Sequence, residues 1–316
     1  MTYVSHLNAL LKDVVGRSSR LVAYGQNVVT GSCLSGLTRG LIAGPDSLVF
    51  NTPNAENALV GLGFGVMLRG HSAIYFMKQQ DFLLLGFDHL VNTWNVARGR
   101  ENLGSFSVVT IVVDSGYEGP QSCLNNFSDF CSMAHLPGYA ITNAHDAGEV
   151  IGRHLVAPGC RIIGVSQRLF STEIIAPEGA VAMDPAGDVI RYAEGPDATI
   201  VAFNFSFPEA WSLHRLMGER GRRASLFSVP AVLPVRWDAL LADVRRSGRL
   251  LVLDDGKSEN RTSDRFLLEV LRLGVPVRIA EARRHFSPND LAPNPDRLTA
   301  DWESLIDAVF ALDGLD

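Results

Sequence analysis

The sequence predicts an α/β protein with two domains, each a mostly parallel sheet flanked by helices. Short apolar segments rich in β-branched residues alternate with amphipathic segments along most of the chain, which is typical of such sheets. The alternation forms two blocks, separated near residues 172–196 by a stretch rich in Glu, Pro, Gly and Asp. The 316 residues suit two domains, and the 47% hydrophobic content provides for a large packed core.

The first block supplies the elements of one sheet. Strands are predicted at residues 20–24, 47–50, 72–76, 107–113, 139–142 and 161–165, with helical stretches at 58–65, at 81–96 and from about residue 146. Residues 107–113 are almost continuously apolar, as in a strand buried on both faces. The segment Gly61-Leu-Gly-Phe-Gly65 lacks the glycine spacing of a dinucleotide-binding loop, and we interpret its glycines as small residues that let a helix pack closely.

The second block repeats the pattern after a hairpin predicted at residues 179–192, with its turn at 185–187. Strands are predicted at 198–203, 224–229, 249–253 and 275–279, and helices at 208–219, 236–246, 265–273 and 301–312. Asp254-Asp255 ends one of these strands and is interpreted as a turn. We assign residues 1–180 to the first domain, 181–196 to a linker hairpin and 197–316 to the second domain.

Charge and composition argue against several protein classes. The formal net charge is −6, and no block of Lys and Arg predicts a surface for nucleic acid or anionic lipid. No apolar run reaches the roughly 20 residues that a membrane span needs, and the first residues do not resemble a signal peptide, so we expect a cytoplasmic protein. The four cysteines and eight histidines lack zinc-binding spacing, and no metal site is predicted in this chain.

Glu56 is the residue most suggestive of chemistry. The segment Asn51-Thr-Pro-Asn-Ala-Glu56 places this carboxylate between a short apolar strand and a helix rich in small residues. From its position alone, Glu56 could simply be stabilised by the positive end of the helix dipole. The sequence around it, compared motif by motif along the chain, favours a functional role.

An ordered set of motifs resembles the β subunit of 2-oxo acid dehydrogenases of the pyruvate dehydrogenase type. The motifs are Tyr24-Gly-Gln-Asn-Val-Val, Gly36-Leu-Thr-Arg-Gly-Leu41, Val49-Phe-Asn-Thr-Pro-Asn-Ala-Glu56, Asp81-Phe-Leu-Leu-Leu-Gly-Phe-Asp-His-Leu-Val-Asn92, Ala134-His-Leu-Pro-Gly138, Asp197-Ala-Thr-Ile-Val201 and Gly248-Arg-Leu-Leu-Val-Leu-Asp-Asp255. Single motifs are weak, but their order spans nearly the whole chain. Transketolase and deoxyxylulose-phosphate synthase share the same two-domain unit.

The resemblance implies that residues 1–180 form a pyrimidine-binding domain for thiamine diphosphate, followed by a transketolase C-terminal-like domain. Glu56 would hydrogen-bond a ring nitrogen and favour the imino tautomer, which can deprotonate the thiazolium carbon to a carbanion equivalent. An apolar pocket would raise the pKa of that carboxyl group, which suits this role. The aromatic positions that wall the pyrimidine fall on Phe76, Gln79 and Phe82, so Gln79 departs from the family pattern.

A second departure concerns the active-site histidine of the family. Its position falls on Asn125, with Asn126 beside it. Asn cannot act as a general acid near neutral pH, but it can donate a hydrogen bond to an oxyanion or a substrate carboxylate. We therefore predict Asn125 as a catalytic hydrogen-bond donor, in a chemistry that diverges from standard pyruvate dehydrogenase.

The Gly-Asp-Gly motif that holds Mg²⁺ and the diphosphate in thiamine enzymes does not occur in this sequence. The resemblance therefore implies an α-type partner subunit that supplies this half of the site, in an α₂β₂ heterotetramer. The substrate would be a 2-oxo acid or a ketose, and the reaction a decarboxylation or an acyl or ketol transfer. Alternatively, the chain is a non-catalytic structural or regulatory subunit, which Gln79 and Asn125 favour and Glu56 opposes.

Overall fold

The chain folds into two main β-sheets flanked by helices in a computed structural model that describes residues 1–233, 235–284, 294–295, 298 and 300–311. The predicted α/β fold class is confirmed. The helices are α1 (Tyr3–Arg17), α2 (Glu56–Leu68), α3 (Trp94–Ala97), α4 (Phe127–Ala134), α5 (Ala144–His154), α6 (Phe207–Glu219), α7 (Asp238–Ser247), α8 (Thr262–Arg272) and α9 (Trp302–Phe310). The strands are β1 (Leu21–Gly25), β2 (Leu48–Asn51), β3 (Ser72–Met77), β4 (Ser105–Val112), β5 (Gly116–Tyr117), β6 (Gly138–Ile141), β7 (Gly159–Ser166), β8 (Val181–Ala182), β9 (Ile190–Pro196), β10 (Ala198–Phe203), β11 (Ala224–Val229), β12 (Ala231–Leu233), β13 (Arg249–Asp254), β14 (Arg278–Arg283) and β15 (Asn294–Pro295).

The first sheet has the strand order β12-β6-β7-β4-β3-β1-β2. Its central strand β4 is buried along its whole length, as its apolar sequence predicts. All neighbouring pairs are parallel except the first, in which β12 runs antiparallel to β6. Since β12 comes from the second half of the sequence, that half completes one edge of the first sheet.

The second sheet has the strand order β14-β13-β10-β11-β9-β8. The predicted hairpin is present as β8 and β9, and the N–H of Gly187 donates to the carbonyl of Asp184 in its turn. Because β9 pairs with β11, residues 181–196 form an edge of the second sheet and not a free linker. The domain division at residues 180 and 196 stays a prediction.

Two predicted elements differ from the structure. Residues 81–96 form a 3₁₀ segment (Gln80–Gly86), a π turn (His89–Thr93) and α3, and not one long helix. Gly86 packs so closely on α2 that a Cβ atom there would lie 2.6 Å from Val60 Cγ2, and such tertiary contacts override the helical period. The last parallel strand begins at residue 278, because Pro276 has no N–H to give to a ladder.

The close packing that the glycines of α2 predict is found at Gly63. A Cβ atom at this position would lie 2.2 Å from Cε2 of Phe106, whose ring is fully buried against Phe64 at a centroid distance of 5.1 Å. Helix α2 can therefore approach β4 only with a glycine here. Its first residue, Glu56, consequently sits directly over the end of the sheet.

Candidate functional site

A cleft lies where β1, β2 and β3 end and α2 begins. It is a shallow cleft lined by Gln26, Pro53, Asn54, Glu56, Leu59, Tyr75, Phe76, Met77, Lys78 and Phe82. Ligands of open parallel sheets bind at the carboxyl ends of the strands, which is where this cleft opens. Glu56 is the half-buried first residue of α2, so its side chain lies at the positive end of the helix dipole.

The backbone at the cleft depends on Gly25, the last residue of β1. Only glycine fits this position, because its φ is +152° and a Cβ atom would lie 2.2 Å from the carbonyl oxygen of Phe76. The carbonyl of Gly25 accepts the N–H of Thr52 at 3.0 Å. The segments that follow β1 and β2 are therefore tied together just before they reach Glu56.

Tyr75 lines the cleft beside Glu56, although sequence reasoning missed it. Its buried ring stacks on Tyr24 at a centroid distance of 5.2 Å, and the Tyr24 hydroxyl donates to the carbonyl of Leu59 at 2.6 Å. Burial raises the pKa of Tyr75, and the nearby charge of Glu56 raises it further. The feature of the sequence that could have indicated this residue is a tyrosine near the carboxyl end of each of the neighbouring strands β1 and β3.

Phe76 and Phe82, the predicted aromatic walls, both border the cleft. Phe76 is fully buried in the core cluster that contains Leu7 of α1, whereas the neighbouring Tyr75 belongs to the cluster on the α2 side. Phe82 is half-buried and packs against that second cluster. Alternate strand residues face opposite sides, so Phe76 and Tyr75 lie on different faces of the sheet. That the two phenylalanines stack on a ligand stays a prediction.

Gln79 points toward another part of the chain. Its Oε1 accepts the hydroxyl of Ser122 at 3.1 Å, and it is not among the residues that line the Glu56 cleft. The next residue, Gln80, is fully buried, and neither of its side-chain amide atoms has a hydrogen-bond partner within the described residues. Asp81 accepts the N–H of Cys123 at 3.0 Å, and burial raises the pKa of its carboxyl group.

Asn125 lies in the contact between the two sheets. It is fully buried, its Nδ2 donates to the carbonyl of Asp255 at 2.8 Å, and its Oδ1 accepts from Asn204 Nδ2 at 2.8 Å. Its own carbonyl accepts the N–H of Lys257, also at 2.8 Å. No motif in the sequence predicts these contacts. The catalytic role of Asn125 stays a prediction, and it requires that the side-chain amide also reach a substrate.

A buried ion-pair network joins the same two halves of the chain. Nη1 of Arg168 contacts Glu209 at 2.6 Å, its Nε lies 3.5 Å from Asp114, and its Nη2 lies 3.6 Å from Asp255. Nη2 of Arg284 lies 3.8 Å from the same Asp255 oxygen. Burial lowers the pKa of Arg168, but the three carboxylates outweigh it and raise that pKa.

Asp254-Asp255, interpreted as a turn at the end of a strand, is a buried pair of carboxyl groups. Asp254 is 2% exposed and Asp255 is fully buried. Asp254 accepts the Ser263 hydroxyl at 2.7 Å, and Asp255 accepts the N–H of Phe205 at 2.8 Å. Burial raises the pKa of Asp255 to about 7, against the opposing charges of Arg284 and Arg168. The pair is buried because partners distant in sequence satisfy it.

Curated proteins similar to this chain include β subunits of an acetoin oxidoreductase and of the pyruvate dehydrogenase E1 component, although no family model matches the chain. The β subunit of acetoin:2,6-dichlorophenolindophenol oxidoreductase from Cupriavidus necator is 25% identical over 251 residues, 77% of this chain and 72% of the relative. The pyruvate dehydrogenase E1 β subunit of Staphylococcus epidermidis is 22% identical over 309 residues, 93% of each chain. This chain is a homologue of these β subunits.

The fold of this β-subunit homologue is also found among solved structures. Split-gene transketolase, in a structure named an inactive β4 tetramer, superposes with a TM-score of 0.71 at 15% identity, covering 98% of this chain and 95% of that one. Within the described residues, no three His, Cys, Asp or Glu side chains group as metal ligands. No helix in the part of the chain that the structure describes is long and apolar enough to cross a membrane.

Proposed function

We propose that this chain is the β-type subunit of a two-subunit thiamine diphosphate-dependent enzyme that acts on a 2-oxo acid or a ketose. The observation that carries the proposal is the position of Glu56, half-buried at the start of α2 in a cleft formed by three parallel strand ends. The homologous β subunits support the enzyme class.

The cleft suits the aminopyrimidine half of the cofactor. A flat heteroaromatic ring needs apolar walls for its faces and a polar group at its edge. Leu59, Tyr75, Met77 and Phe82 supply the walls, and Glu56 supplies a carboxyl group. No other carboxyl group is among the residues that line the cleft. The residues present therefore fit this half of the cofactor.

Glu56 would hold or share a proton at a carboxyl oxygen facing a pyrimidine nitrogen. A hydrogen bond between this carboxyl group and the ring nitrogen, enclosed by apolar side chains, would keep the proton between the two groups. Tyr75 and Leu59 would exclude water from this contact. When bound, thiamine diphosphate supplies a thiazolium carbon acidic enough to become a nucleophile.

An α-type subunit would carry the diphosphate and Mg²⁺, in an α₂β₂ heterotetramer. Leu62 and Leu68 of α2 are 41% and 39% exposed, and Leu84 and Leu85 of the adjoining 3₁₀ segment are 54% and 62% exposed. Exposed apolar side chains on adjoining elements mark an interaction surface. The similar split-gene transketolase is named inactive as a β4 tetramer, which agrees with a chain of this fold that needs a different partner.

The chemistry would diverge from that of standard pyruvate dehydrogenase. Gln79 and Asn125 stand at positions where the family has an aromatic ring and a histidine, and each is hydrogen-bonded to other parts of this chain. These engaged side chains also favour the second candidate, a structural or regulatory subunit that keeps the fold without productive cofactor binding. The Glu56 cleft favours the enzyme.

Calorimetric titration separates the two candidates. Thiamine diphosphate with Mg²⁺ is titrated into this chain alone, into an α-type subunit alone, and into their purified complex. The enzyme predicts saturable binding in the complex and none in this chain alone, because the diphosphate half of the site is in the partner. A complex that forms but binds no cofactor would establish the non-catalytic candidate.

A further inference from the structure

A second cavity lies at the contact between the two halves of the chain, between α4 and α8. We name it the α4–α8 groove. It consists of an outer space of about 140 Å³ and a narrow inner space of about 10 Å³, which share Ser128, Val232, Arg261 and Thr262. It is separate from the Glu56 cleft, since none of its lining residues lines that cleft.

The groove lies where an open α/β sheet most often binds ligands. In the second sheet, β10 connects to β11 on one side and β13 lies on its other side, so the strand order reverses between β10 and β13. The residues Phe203, Asn204, Asp254 and Gly256 at these strand ends line the inner space. A crevice outside the carboxyl ends at such a reversal is a recurrent binding position.

The N terminus of α8 opens into the groove, with an unused hydroxyl group at its first residue. Thr262 is 7% exposed and lines both spaces. Within the described residues, its hydroxyl has no hydrogen-bond partner in the protein. This oxygen is not among the fully enclosed side-chain atoms that lack a partner, so it is open to the groove, where a ligand or solvent atom can bond to it.

The charge around this hydroxyl is positive. Arg261 donates to the carbonyls of Gly256 at 3.2 Å and Arg284 at 3.0 Å, which fixes its guanidinium group without neutralising it. Arg265 is exposed on the wall of the groove, and in the part of the chain that the structure describes no carboxylate pairs with either Arg261 or Arg265. At the N terminus of α8, Oδ2 of Asp264 accepts the N–H of Arg261 at 3.1 Å, which leaves the N–H groups of Thr262 and Ser263 to add to the positive potential.

The two carboxylates on the groove wall are already engaged. Asp264 pairs with Nη2 of Arg283 at 2.8 Å. Asp254 accepts the Ser263 hydroxyl at 2.7 Å and the N–H of Gly256 at 2.9 Å. The apolar side chains Val232 and Leu233 form another part of the wall. The groove therefore offers positive charge, one free hydroxyl and an apolar surface.

We propose that the α4–α8 groove binds a small anion through a carboxylate or phosphate group placed at the N terminus of α8. Thr262 donates its hydroxyl to this oxyanion, and Arg261 and Arg265 supply the charge. Ser128 and Ser132 on the opposite wall belong to α4, which packs on the first sheet. A ligand in this groove therefore contacts both halves of the chain, at a place separate from the Glu56 cleft.

Calorimetric titration of the purified full chain with inorganic phosphate, and separately with acetate, tests the site at constant ionic strength. We expect saturable binding of one of the two probes, which identifies the oxyanion. Thr262→Val and Arg265→Gln should each weaken that binding by about tenfold, because each removes a hydrogen bond or charge contact to the anion.

Arg245→Gln is the matched control, since Arg245 is an exposed arginine in the last turn of α7. It should leave the affinity unchanged. Thermal unfolding of each variant verifies the fold, and Arg265→Gln, at an exposed position, keeps the test valid if Thr262→Val unfolds. Failure of both probes to saturate, or equal weakening by Arg245→Gln and Arg265→Gln, would overturn the proposal.

Discussion

Ionisation of Asp188 makes the stability of the folded chain depend on pH. It is buried, and burial together with the neighbouring Asp184 raises its pKa to about 7, against the opposing charge of Arg236. The folded chain therefore keeps this proton between pH 3.8 and about 7, whereas the unfolded chain, with the ordinary pKa of 3.8, releases it. This contribution to stability is complete below the unfolded pKa and is lost as the pH rises through the folded one.

Asp188→Asn should remove this loss of stability at rising pH. Urea unfolding at about pH 5 and about pH 8 should show a smaller decrease in the free energy of unfolding for the variant than for the natural chain. The difference is at most about 1.4 kcal/mol per pH unit between the two pKa values. Parallel pH profiles of the two proteins would show that Asp188 ionises normally in the folded state.

Glu56 was predictable from the sequence, whereas Tyr75 and the contacts of Asn125 were not. Glu56 stands between a strand and a helix in a continuous motif, so its position follows from local elements. Asn125 is held by Asn204 and Asp255, 79 and 130 residues away in sequence. No local pattern reports such a contact, since only the packing of the two sheets brings these amides together.

Helix α2 is the element that sets the position of Glu56, and Gly63 sets the position of α2. Gly63→Ala should destabilise the fold by about 1–3 kcal/mol, because its Cβ atom would lie 2.2 Å from the buried ring of Phe106. Gly65→Ala is the matched control on the same helix, where a Cβ atom meets nothing within 4 Å. Helix propensity should make that variant more stable by about 0.5–1 kcal/mol.

Chemical denaturation of the two glycine variants measures both effects. Equal changes in the free energy of unfolding would mean that α2 does not need its close approach to β4. Most helices and strands could be predicted, because apolar periodicity and strand length can be read from a short stretch of sequence. Residues 81–96 could not, since their break into short helical segments comes from contact with α2, as at Gly86.

The whole molecule depends on the network around Arg168. Arg168→Met should cost about 3–5 kcal/mol of stability, because Asp114 and Glu209 would lose a buried ionic partner and Asp255 one of its two. Arg17→Met, which removes an exposed pair with Asp13, should change stability by less than about 1 kcal/mol. Calorimetric unfolding measures both variants, and a loss for Arg168→Met no greater than that for Arg17→Met would contradict this account.

The two-sheet architecture could be predicted from the order of helices and strands in the sequence. The contacts between the two halves of the chain could not. Strand β12 completes the first sheet from beyond residue 230, and its three residues carry no signal of which sheet they join. The ion-pair network likewise depends on side chains from five separate segments, around residues 114, 168, 209, 255 and 284. Both features arise only when distant segments of the chain come together in the folded protein.

The central claim concerns Glu56, and hydrogen–deuterium exchange at the thiazolium carbon of bound thiamine diphosphate tests it without knowledge of the substrate. Proton NMR would follow this exchange in the complex with the α-type subunit. Glu56→Gln should slow it by about 10²–10⁴-fold while leaving assembly intact, because the amide cannot share a proton with the pyrimidine. Glu101→Gln, at an exposed carboxylate, should leave the rate unchanged. An exchange rate in Glu56→Gln equal to that of the natural chain would remove Glu56 from the mechanism.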